Sequence, residues 1–197
     1  MNIGIFGGAF NPVHNGHIAL AKHYIRSLDL DKLILIPTAV PPHKSGDDLV
    51  DGAHRVAMLR LATADIDCCQ VSTIELERKG KSYSYDTIRQ LKKVYPTDKI
   101  FMIIGSDQYF YFQNWYRDDD ILDMVTVVTA AREDNEYADL IEYRALQPNM
   151  KNSIVSNFDV LQVSSTQIRK RIAAGESIEN LVPRSVNEYI KEHGLYV

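Results

Sequence analysis

The sequence has few of the features that mark a secreted, membrane-bound or metal-binding protein. Only two of its 197 residues are cysteines, Cys68 and Cys69. Because neighbours along a strand point to opposite faces, we expect no disulfide between them, and their spacing fits no metal site. Free thiols indicate a reducing compartment.

No apolar run approaches the roughly 18 residues of a membrane span. The first residues, Met1–Phe6, lack the basic start of a signal peptide, so we expect a cytoplasmic protein without membrane contact.

Positive charge is also scarce. The formal net charge is -4, and no run of lysine and arginine forms the basic face that a general nucleic-acid binder carries. We therefore expect no nucleic-acid partner. An anionic small substrate remains compatible with this charge, since it needs only local positive groups. The candidates for that role are Lys44, Arg132, Arg169, His14 and His17.

Apolar residues make up 45% of the chain and charged residues 24%, which is typical of a globular domain. Strand-like and helix-like segments alternate along it. The predicted strands cover residues 2–6, 32–36, 68–72, 99–104 and 124–129, with a last one inside 154–163. The predicted helices cover residues 16–28, 51–64, 84–95, 137–146, 164–174 and 183–192. This alternation predicts an α/β fold, a single-domain Rossmann-like, doubly wound parallel sheet of five to six strands with helices on both faces.

The turn between the first strand and the first helix carries the strongest local signal. Gly7 and Gly8 allow the backbone to approach a phosphate, and the following helix offers free amide groups. His14 and His17, on either side of Gly16, could direct two donors at one polyphosphate. Two exposed histidines in a glycine-rich turn fit the same residues. A metal site is a third interpretation, but no cysteine or carboxylate completes its ligand set. The turn is neither a phosphate loop ending in Lys-Ser/Thr nor a three-glycine dinucleotide fingerprint.

A second candidate phosphate site lies near the other end of the chain. In Val163–Arg169 (VSSTQIR), Ser165 and Thr166 place hydroxyl groups at a helix N-terminus, and Arg169 adds a guanidinium one turn later. An ordinary capped helix with a surface arginine would show the same residues. The segment alone therefore does not distinguish a phosphate site from a capped helix, and it indicates a phosphate site only together with the first turn.

Both segments resemble motifs of one superfamily. Gly7–His17 (GGAFNPVHNGH) is similar to the GGxFDPxHxGH signature of the nicotinate/nicotinamide mononucleotide adenylyltransferases, which belong to the HxGH nucleotidyltransferases. Val163–Arg169 resembles the SSTxIR motif of the same superfamily, which grips the phosphates of ATP. Asn11 stands where aspartate is commoner, but asparagine can still accept a hydrogen bond in the turn. The resemblance runs along nearly the whole chain and implies one nucleotidyltransferase domain over residues 1–197.

Three further segments resemble the nicotinate branch of that family. They are Pro37–Lys44 (PTAVPPHK), Ile74–Thr87 (IELERKGKSYSYDT), and Gly105–Asp107 followed by Trp115. In that branch the tryptophan stacks on the pyridine ring, and backbone amides near the equivalents of Ser84 and Tyr116 receive the nicotinate carboxylate. A tryptophan that anchors a loop, and an aspartate at 107 that caps a helix, fit the same positions.

The resemblance implies transfer of the adenylyl group of ATP to nicotinate mononucleotide, giving deamido-NAD and pyrophosphate. It implies Mg2+ carried with ATP and no metal held by the protein, so the run Asp118–Asp120 is interpreted as the start of a helix. The catalytic residues it implies are His14, His17 and Arg169. Those for ATP are Gly7, Gly8, Phe10, His14, Gly16, His17, Gly105, Asp107, Arg132, Ser164, Ser165, Thr166 and Arg169. Those for the acceptor are Ala9, Lys44, Ser84, Thr87, Asp107, Trp115 and Tyr116.

Other functions fit part of this evidence. A related transferase could use nicotinamide mononucleotide, phosphopantetheine or a sugar or alcohol phosphate as acceptor. A nucleotide-binding module without activity would bind ATP and release no pyrophosphate, although the intact histidines and Arg169 argue against it. A redox enzyme with a bound dinucleotide is disfavoured by the missing three-glycine fingerprint. The sequence leaves the oligomeric state open, a homo-oligomer included.

Overall fold

The computed structural model describes residues 1–40, 49–131, 136–158 and 161–197. Within these residues six strands pair in parallel to form one sheet with the order β3-β2-β1-β4-β5-β6. The strands are β1 (Asn2–Gly8), β2 (Lys32–Pro37), β3 (Cys69–Val71), β4 (Lys99–Ile103), β5 (Thr126–Ala130) and β6 (Ile154–Ser156). This confirms the predicted Rossmann-like parallel sheet, at the upper end of the expected five to six strands.

Helices cover both faces of the sheet. They are α1 (Asn15–Ser27), α2 (Gly52–Ala62), α3 (Ser84–Val94), α4 (Ser106–Phe110), α5 (Asp118–Met124), α6 (Glu136–Leu146), α7 (Ser165–Ala173) and α8 (Arg184–Glu192), with short 3-10 turns at Phe112–Asn114 and Pro148–Met150. Side chains of α1, α2, α7 and α8 share one apolar core, whereas those of α3 to α6 share the other. The two cores explain why the strands are apolar nearly throughout, since a strand covered on both sides has no polar face.

The strand order creates a crevice beside β1. The chain winds outward from β1 through β2 to β3, then returns to pair β4 with the other edge of β1. Ligands of open α/β sheets bind outside the carboxyl ends of the strands at such a reversal. Gly8 ends β1 and Gly105 follows β4, so the predicted glycine turn and the predicted Gly-x-Asp segment both lie at this point.

The boundary between α5 and β5 differs from the prediction. The apolar run beginning at Met124 indicated a strand, but Met124 is the last residue of α5 and β5 begins at Thr126. The amide of Val125 still donates to the carbonyl of Ile121, which completes the last helical turn before the backbone becomes extended. As interpreted from the sequence, Asp118 to Asp120 form the first turn of this helix.

The structure also describes the two cysteines and the length of the helices. Cys68 and Cys69 are free thiols. In the part of the chain that the structure describes, no helix combines the length and the apolar character that a bilayer span requires.

Prediction for the core: Ile103→Ala should lower the free energy of unfolding by about 2–5 kcal/mol. Ile103 lies in the central strand β4 and is 0% exposed, so its loss removes buried apolar surface and leaves a cavity. Denaturant unfolding measures the change. The control Val94→Ala truncates a side chain that is 66% exposed at the end of α3 and should cost only about 0.5 kcal/mol or less. Equal losses for both variants would contradict the described core.

Candidate active site

The first turn of α1 is capped by two histidines that bond each other's backbone. The ring Nδ1 of His14 accepts from the amide of His17 at 3.3 Å, and the ring Nδ1 of His17 accepts from the amide of His14 at 3.2 Å. The two rings stack with their centroids 3.6 Å apart. Two amide groups that a helix start leaves unpaired are thereby satisfied reciprocally, as in a Ser/Glu capping box.

This capping fixes which ring nitrogen carries the proton. A nitrogen that accepts a hydrogen bond has no hydrogen of its own, so in the neutral imidazole the proton is on the other nitrogen. In their neutral form, both His14 and His17 therefore carry their hydrogen on Nε2. The pair consists of two oriented N–H donors, at the helix N-terminus where the dipole also favours an anion.

Phe10 supports His17 from below. Its ring is buried and lies 5.0 Å from the ring of His17 and 5.5 Å from that of Phe6, edge to face in both cases. Its backbone has φ of 45°, a left-handed conformation that non-glycine residues rarely adopt and that concentrates at functional sites. Because the Phe10 side chain is enclosed, a ligand in the crevice could meet only its backbone.

The second predicted phosphate segment packs directly on the first. The hydroxyl of Ser165 donates to the carbonyl of Pro12 at 2.8 Å, and the guanidinium of Arg169 donates to the carbonyl of Asn11 at 2.9 Å. Ser164 caps α7 by accepting from the amide of Gln167. The structure therefore brings the histidines and the hydroxyl–guanidinium helix, about 150 residues apart in sequence, to the two sides of one turn.

Arg55, which was not among the predicted site residues, holds the same turn from α2. Its guanidinium donates to the carbonyls of Val50, Ala9 and Thr38 at 3.0, 2.9 and 2.7 Å, and burial lowers its pKa. The sequence does contain a signal that Arg55 is buried. It precedes Met58 by three residues and therefore falls on the buried face of α2. An arginine on an apolar helix face needs buried acceptors, and here these are the backbone carbonyls around the turn.

Tyr196 was also missed, and it completes the support of Asn11. Its hydroxyl donates to Oδ1 of Asn11 at 3.0 Å, and the amide of Val50 donates to the same oxygen at 3.2 Å. Burial raises the pKa of Tyr196, against the effect of Arg169 and Arg55 nearby. Asn11 thus accepts hydrogen bonds, as expected for a residue replacing aspartate. No local pattern links it to Tyr196 across 185 positions.

A largely apolar cavity of about 300 Å3 lies beside the turn, across the ends of β1 and β4. Its lining includes several of the residues that the resemblance implies for ATP or the acceptor: Gly7, Gly8, Ala9, Ser84, Thr87, Gly105, Trp115 and Tyr116. The indole ring of Trp115 packs at 5.2 Å on Phe112 and also reaches this cavity. It thus anchors its loop and remains placed to contact a ligand, so the two interpretations of this tryptophan are compatible.

Two backbone amides at the cavity are suited to an anion. Helix α3 begins at Ser84, and its N-cap residue, Tyr83, provides no side-chain hydrogen bond. Among the described residues, neither the amide of Ser84 nor that of Tyr116 has a hydrogen-bond acceptor. The rings of Tyr83 and Tyr116 pack 4.9 Å apart and hold the two loops together. An uncapped helix N-terminus with a second amide near it is an arrangement that binds carboxylates.

Comparison with known proteins assigns the family. The sequence pattern of the cytidylyltransferase-like family matches residues 5–171. The nicotinate-nucleotide adenylyltransferase of Bacillus subtilis is 35% identical over 202 residues, which cover 98% of this chain and 97% of that protein. A probable nicotinate-nucleotide adenylyltransferase of Geobacter sulfurreducens is 40% identical over 212 residues, covering 100% and 98%. The chain belongs to the nicotinate-nucleotide adenylyltransferase family.

The fold agrees with a solved nicotinic acid mononucleotide adenylyltransferase. The Plasmodium falciparum enzyme, complexed with NaAD, superimposes with a TM-score of 0.78, covering 99% of this chain and 97% of that one. The sequence identity is only 18%, so this likeness concerns the fold. It agrees with the six-stranded order found here. The predicted family and class of enzyme, a nucleotidyltransferase, are confirmed by the family match and the relatives described above.

Lys44, Arg132 and Asp107 are predicted residues that are not among the described residues lining the cavity. Lys44 and Arg132 lie outside the described residues. Asp107 is exposed in the first turn of α4, where it accepts from the side chain of Gln108 at 3.1 Å and does not cap the helix, whose N-cap residue is Gly105. In the described residues no group of three or more histidine, cysteine, aspartate or glutamate side chains could hold a metal ion.

Prediction for the turn: Gly16→Ala should lower turnover by about 10-fold or more and destabilise the fold by about 1–3 kcal/mol. A Cβ at Gly16 would lie 2.9 Å from the backbone oxygen of Leu161 and 3.1 Å from Nδ1 of His14, so the histidine pair must shift. Steady-state kinetics and denaturant unfolding measure both effects.

The control for this variant is Gly52→Ala at the start of α2. There a Cβ meets only the flexible side chain of Leu76, at 2.9 Å, so turnover should be largely retained. Unchanged turnover in Gly16→Ala would show that the histidines tolerate displacement.

Proposed function

We propose that this chain catalyses the reaction for which its relatives are named, transfer of the adenylyl group of ATP to nicotinate mononucleotide. One observation supports it above the others. The His14–His17 donor pair and the Ser165–Arg169 segment meet at one turn, and that turn borders a cavity with an aromatic wall and two unpaired amides. The donors suit a triphosphate, whereas the aromatic wall and the two amides suit a flat ring that carries a carboxylate.

The reaction needs no general base. An oxygen of the acceptor's 5′-phosphate, already an anion, attacks the α-phosphorus of ATP. A new P–O bond forms while the bond to the β-phosphate oxygen breaks, and pyrophosphate leaves in line with the attacking oxygen. The products are deamido-NAD and pyrophosphate. The protein has to orient both phosphates and stabilise charge on the oxygens as the bond breaks.

The residues around the turn supply donors for that task. His14 and His17 direct Nε2–H groups to the triphosphate, and Gly7 and Gly8 let the backbone approach it. The guanidinium of Arg169 donates to the carbonyl of Asn11 at 2.9 Å and to the hydroxyl of Thr166 at 3.5 Å, and its remaining N–H groups suit the outer phosphates. The remaining ATP contacts we propose are the backbone of Phe10, Gly16, Gly105 and Asp107, and the hydroxyls of Ser164, Ser165 and Thr166.

The donor set also bears on Mg2+. Imidazole N–H, guanidinium, hydroxyl and amide groups suit phosphate oxygens but are poor ligands for a hard cation, which prefers carboxylates and carbonyls. We therefore propose that Mg2+ is held by the ATP phosphates rather than by a cage of protein ligands. Bound in this way, Mg2+ neutralises phosphate charge, whereas the protein groups fix the orientation.

The acceptor fits the cavity. The indole of Trp115 offers a face for the cationic pyridine ring. The amides of Ser84 and Tyr116 offer donors to a carboxylate, which accepts only, whereas an amide substituent also needs an acceptor. Ala9 and Thr87 line the same space. We propose that Asp107, exposed in the first turn of α4, holds ribose hydroxyls.

We also propose that residues 1–197 form one nucleotidyltransferase domain. The sheet draws on segments from Asn2 to Ser156, and the penultimate residue, Tyr196, bonds the glycine-rich turn near the other end. The cytoplasmic location and the lack of a nucleic-acid partner stay predictions.

A paired assay tests the function. The protein is incubated with ATP, Mg2+ and either nicotinate or nicotinamide mononucleotide, and pyrophosphate and dinucleotide are measured. We expect deamido-NAD, with the acid preferred over the amide. Pyrophosphate with phosphopantetheine or an alcohol phosphate alone would assign another transferase. ATP binding without pyrophosphate from any acceptor would indicate a binding module.

Prediction for the histidine pair: His17→Asn and His17→Ala should both lower kcat by about 100-fold or more while changing the Kd of ATP far less. Both remove the Nε2–H donor, whose effect is greatest as charge develops. The variants differ in stability, because asparagine Oδ1 can replace Nδ1 as acceptor for the amide of His14 whereas alanine cannot. Loss of the cap in His17→Ala should cost about 0.5–2 kcal/mol.

The control is His193→Asn at the exposed end of α8, which should retain normal kcat. Near-normal kcat in His17→Asn would remove the Nε2–H donor from the mechanism. A kcat restored to normal in His17→Asn but not in His17→Ala would make His17 a capping residue only.

A further inference from the structure

Glu75 is a buried carboxylate in the wall of the acceptor cavity. It is 6% exposed, and it is the one charged side chain among the described residues that line the cavity. The proposed acceptor carries a carboxylate and a phosphate, which a negative wall would repel. A charged group in this position therefore needs a role other than contact with those anions.

The hydroxyl of Thr87 and the guanidinium of Arg78 lie against the carboxylate of Glu75. Thr87, in the first turn of α3, donates to Oε1 at 2.8 Å and in turn accepts from Arg78 at 2.7 Å. The guanidinium of Arg78 lies 3.9 Å from the carboxylate. Burial raises the pKa of Glu75, while hydrogen bonds from Thr87, Ser82 and Thr38 and the charge of Arg78 oppose that rise. A carboxylate can accept from all these donors at once.

These bonds tie the start of α3 to the end of β2. Ser82, two residues before the helix, accepts from the amide of Ala39 at 3.1 Å and donates its own amide to the carbonyl of Val40 at 2.9 Å. Thr38 directly follows β2. Thus Glu75 holds Thr87 in the first turn of α3, and Ser82 holds the residues before the helix to the end of β2. Ser84 lies between these two positions and lines the cavity, and its amide has no acceptor among the described residues.

We propose that Glu75 is a positioning residue that sets the preference for a carboxylate-bearing ring over its amide counterpart. It does so by holding the N-terminus of α3, and with it the Ser84 amide, in place for the ring substituent. This inference rests on the proposed function. A carboxylate gains most from a fixed, unpaired N–H and a helix N-terminus, whereas an uncharged carboxamide gains less and also presents donors of its own. Displacing the helix start should therefore penalise the acid selectively.

The test is Glu75→Gln, which keeps the size of the side chain but turns one acceptor into an NH2 donor that faces hydroxyl donors. The Kd values of nicotinate and nicotinamide mononucleotide are measured by calorimetry, together with the KM of ATP and the free energy of unfolding. We expect the Kd of the acid to rise about 10-fold and that of the amide to change by less than about 2-fold, with the KM of ATP unchanged.

Two further variants sharpen the result. Glu77→Gln is the matched control, because Glu77 is exposed and bonds Thr73 within its own turn; it should change none of these values. Ser82→Ala removes the hydroxyl that accepts from the amide of Ala39 and holds the residues before α3 to the end of β2, so it should shift the acid-to-amide ratio in the same direction, by a smaller factor. It also gives a readout if Glu75→Gln does not fold.

Equal weakening of acid and amide binding would make Glu75 a residue of general structural importance and would overturn the proposal. Unchanged affinities in both Glu75→Gln and Ser82→Ala would overturn it as well. Failure of the proposed function is distinguishable from either outcome. In that case the unmodified protein would make no dinucleotide from nicotinate mononucleotide, and this inference would be overturned with it.

Discussion

The site depends on the way the carbonyl oxygens of the glycine-rich turn are held. Arg55 bonds Ala9, Arg169 bonds Asn11 and Ser165 bonds Pro12, each through the backbone oxygen. The donors come from α2 and α7, which lie far apart in sequence and share one core. Since a turn of this kind has no regular hydrogen-bond ladder of its own, these bonds replace one. They fix the position of Asn15, the first residue of α1. They thereby also fix the imidazoles of His14 and His17, which cap this helix.

The same bonds shape the electrostatics of a protein whose formal net charge is -4. Within the described residues, neither Arg55 nor Arg169 forms an ion pair with a carboxylate; carbonyl dipoles are their near partners. Asn11 stands at a position where the GGxFDPxHxGH signature has aspartate, and as a neutral residue it adds no negative charge beside Arg55 and Arg169. In the part of the chain that the structure describes, the positive charge of both guanidinium groups is therefore not neutralised by a paired carboxylate, and it would attract a triphosphate bound at the turn. Local positive charge is achieved without a basic protein.

How far the sequence could predict this structure depends on the range of each interaction. The strands and helices follow from periodicity, glycine and proline, because those signals act over a few residues. The α5–β5 boundary was wrong since an apolar run does not tell the last helical turn from the first strand residue. The motif turns could be placed because the sheet order brings the ends of β1 and β4 together. Tyr196 could not be placed, because its partner is set by tertiary packing and no local pattern marks it. Glu75 lies in the segment Ile74–Thr87 that resembles the nicotinate branch, but the pattern does not show that its carboxylate is buried against Thr87.

The histidine geometry limits the chemistry that the site can perform. Each Nδ1 is already committed to a backbone amide, so a ring that took up a proton there would lose its place in the cap. Each Nε2 carries a hydrogen, so neither ring presents a basic nitrogen to the crevice. A reaction whose nucleophile had to be deprotonated would find no base in this pair. Attack by a phosphate that is already ionised requires donors only, and the fold provides these from imidazole, guanidinium, hydroxyl and backbone amide groups. The arrangement that stabilises the start of α1 therefore suits the proposed reaction, which needs donors and no general base, because the cap and a general base would compete for the same nitrogen.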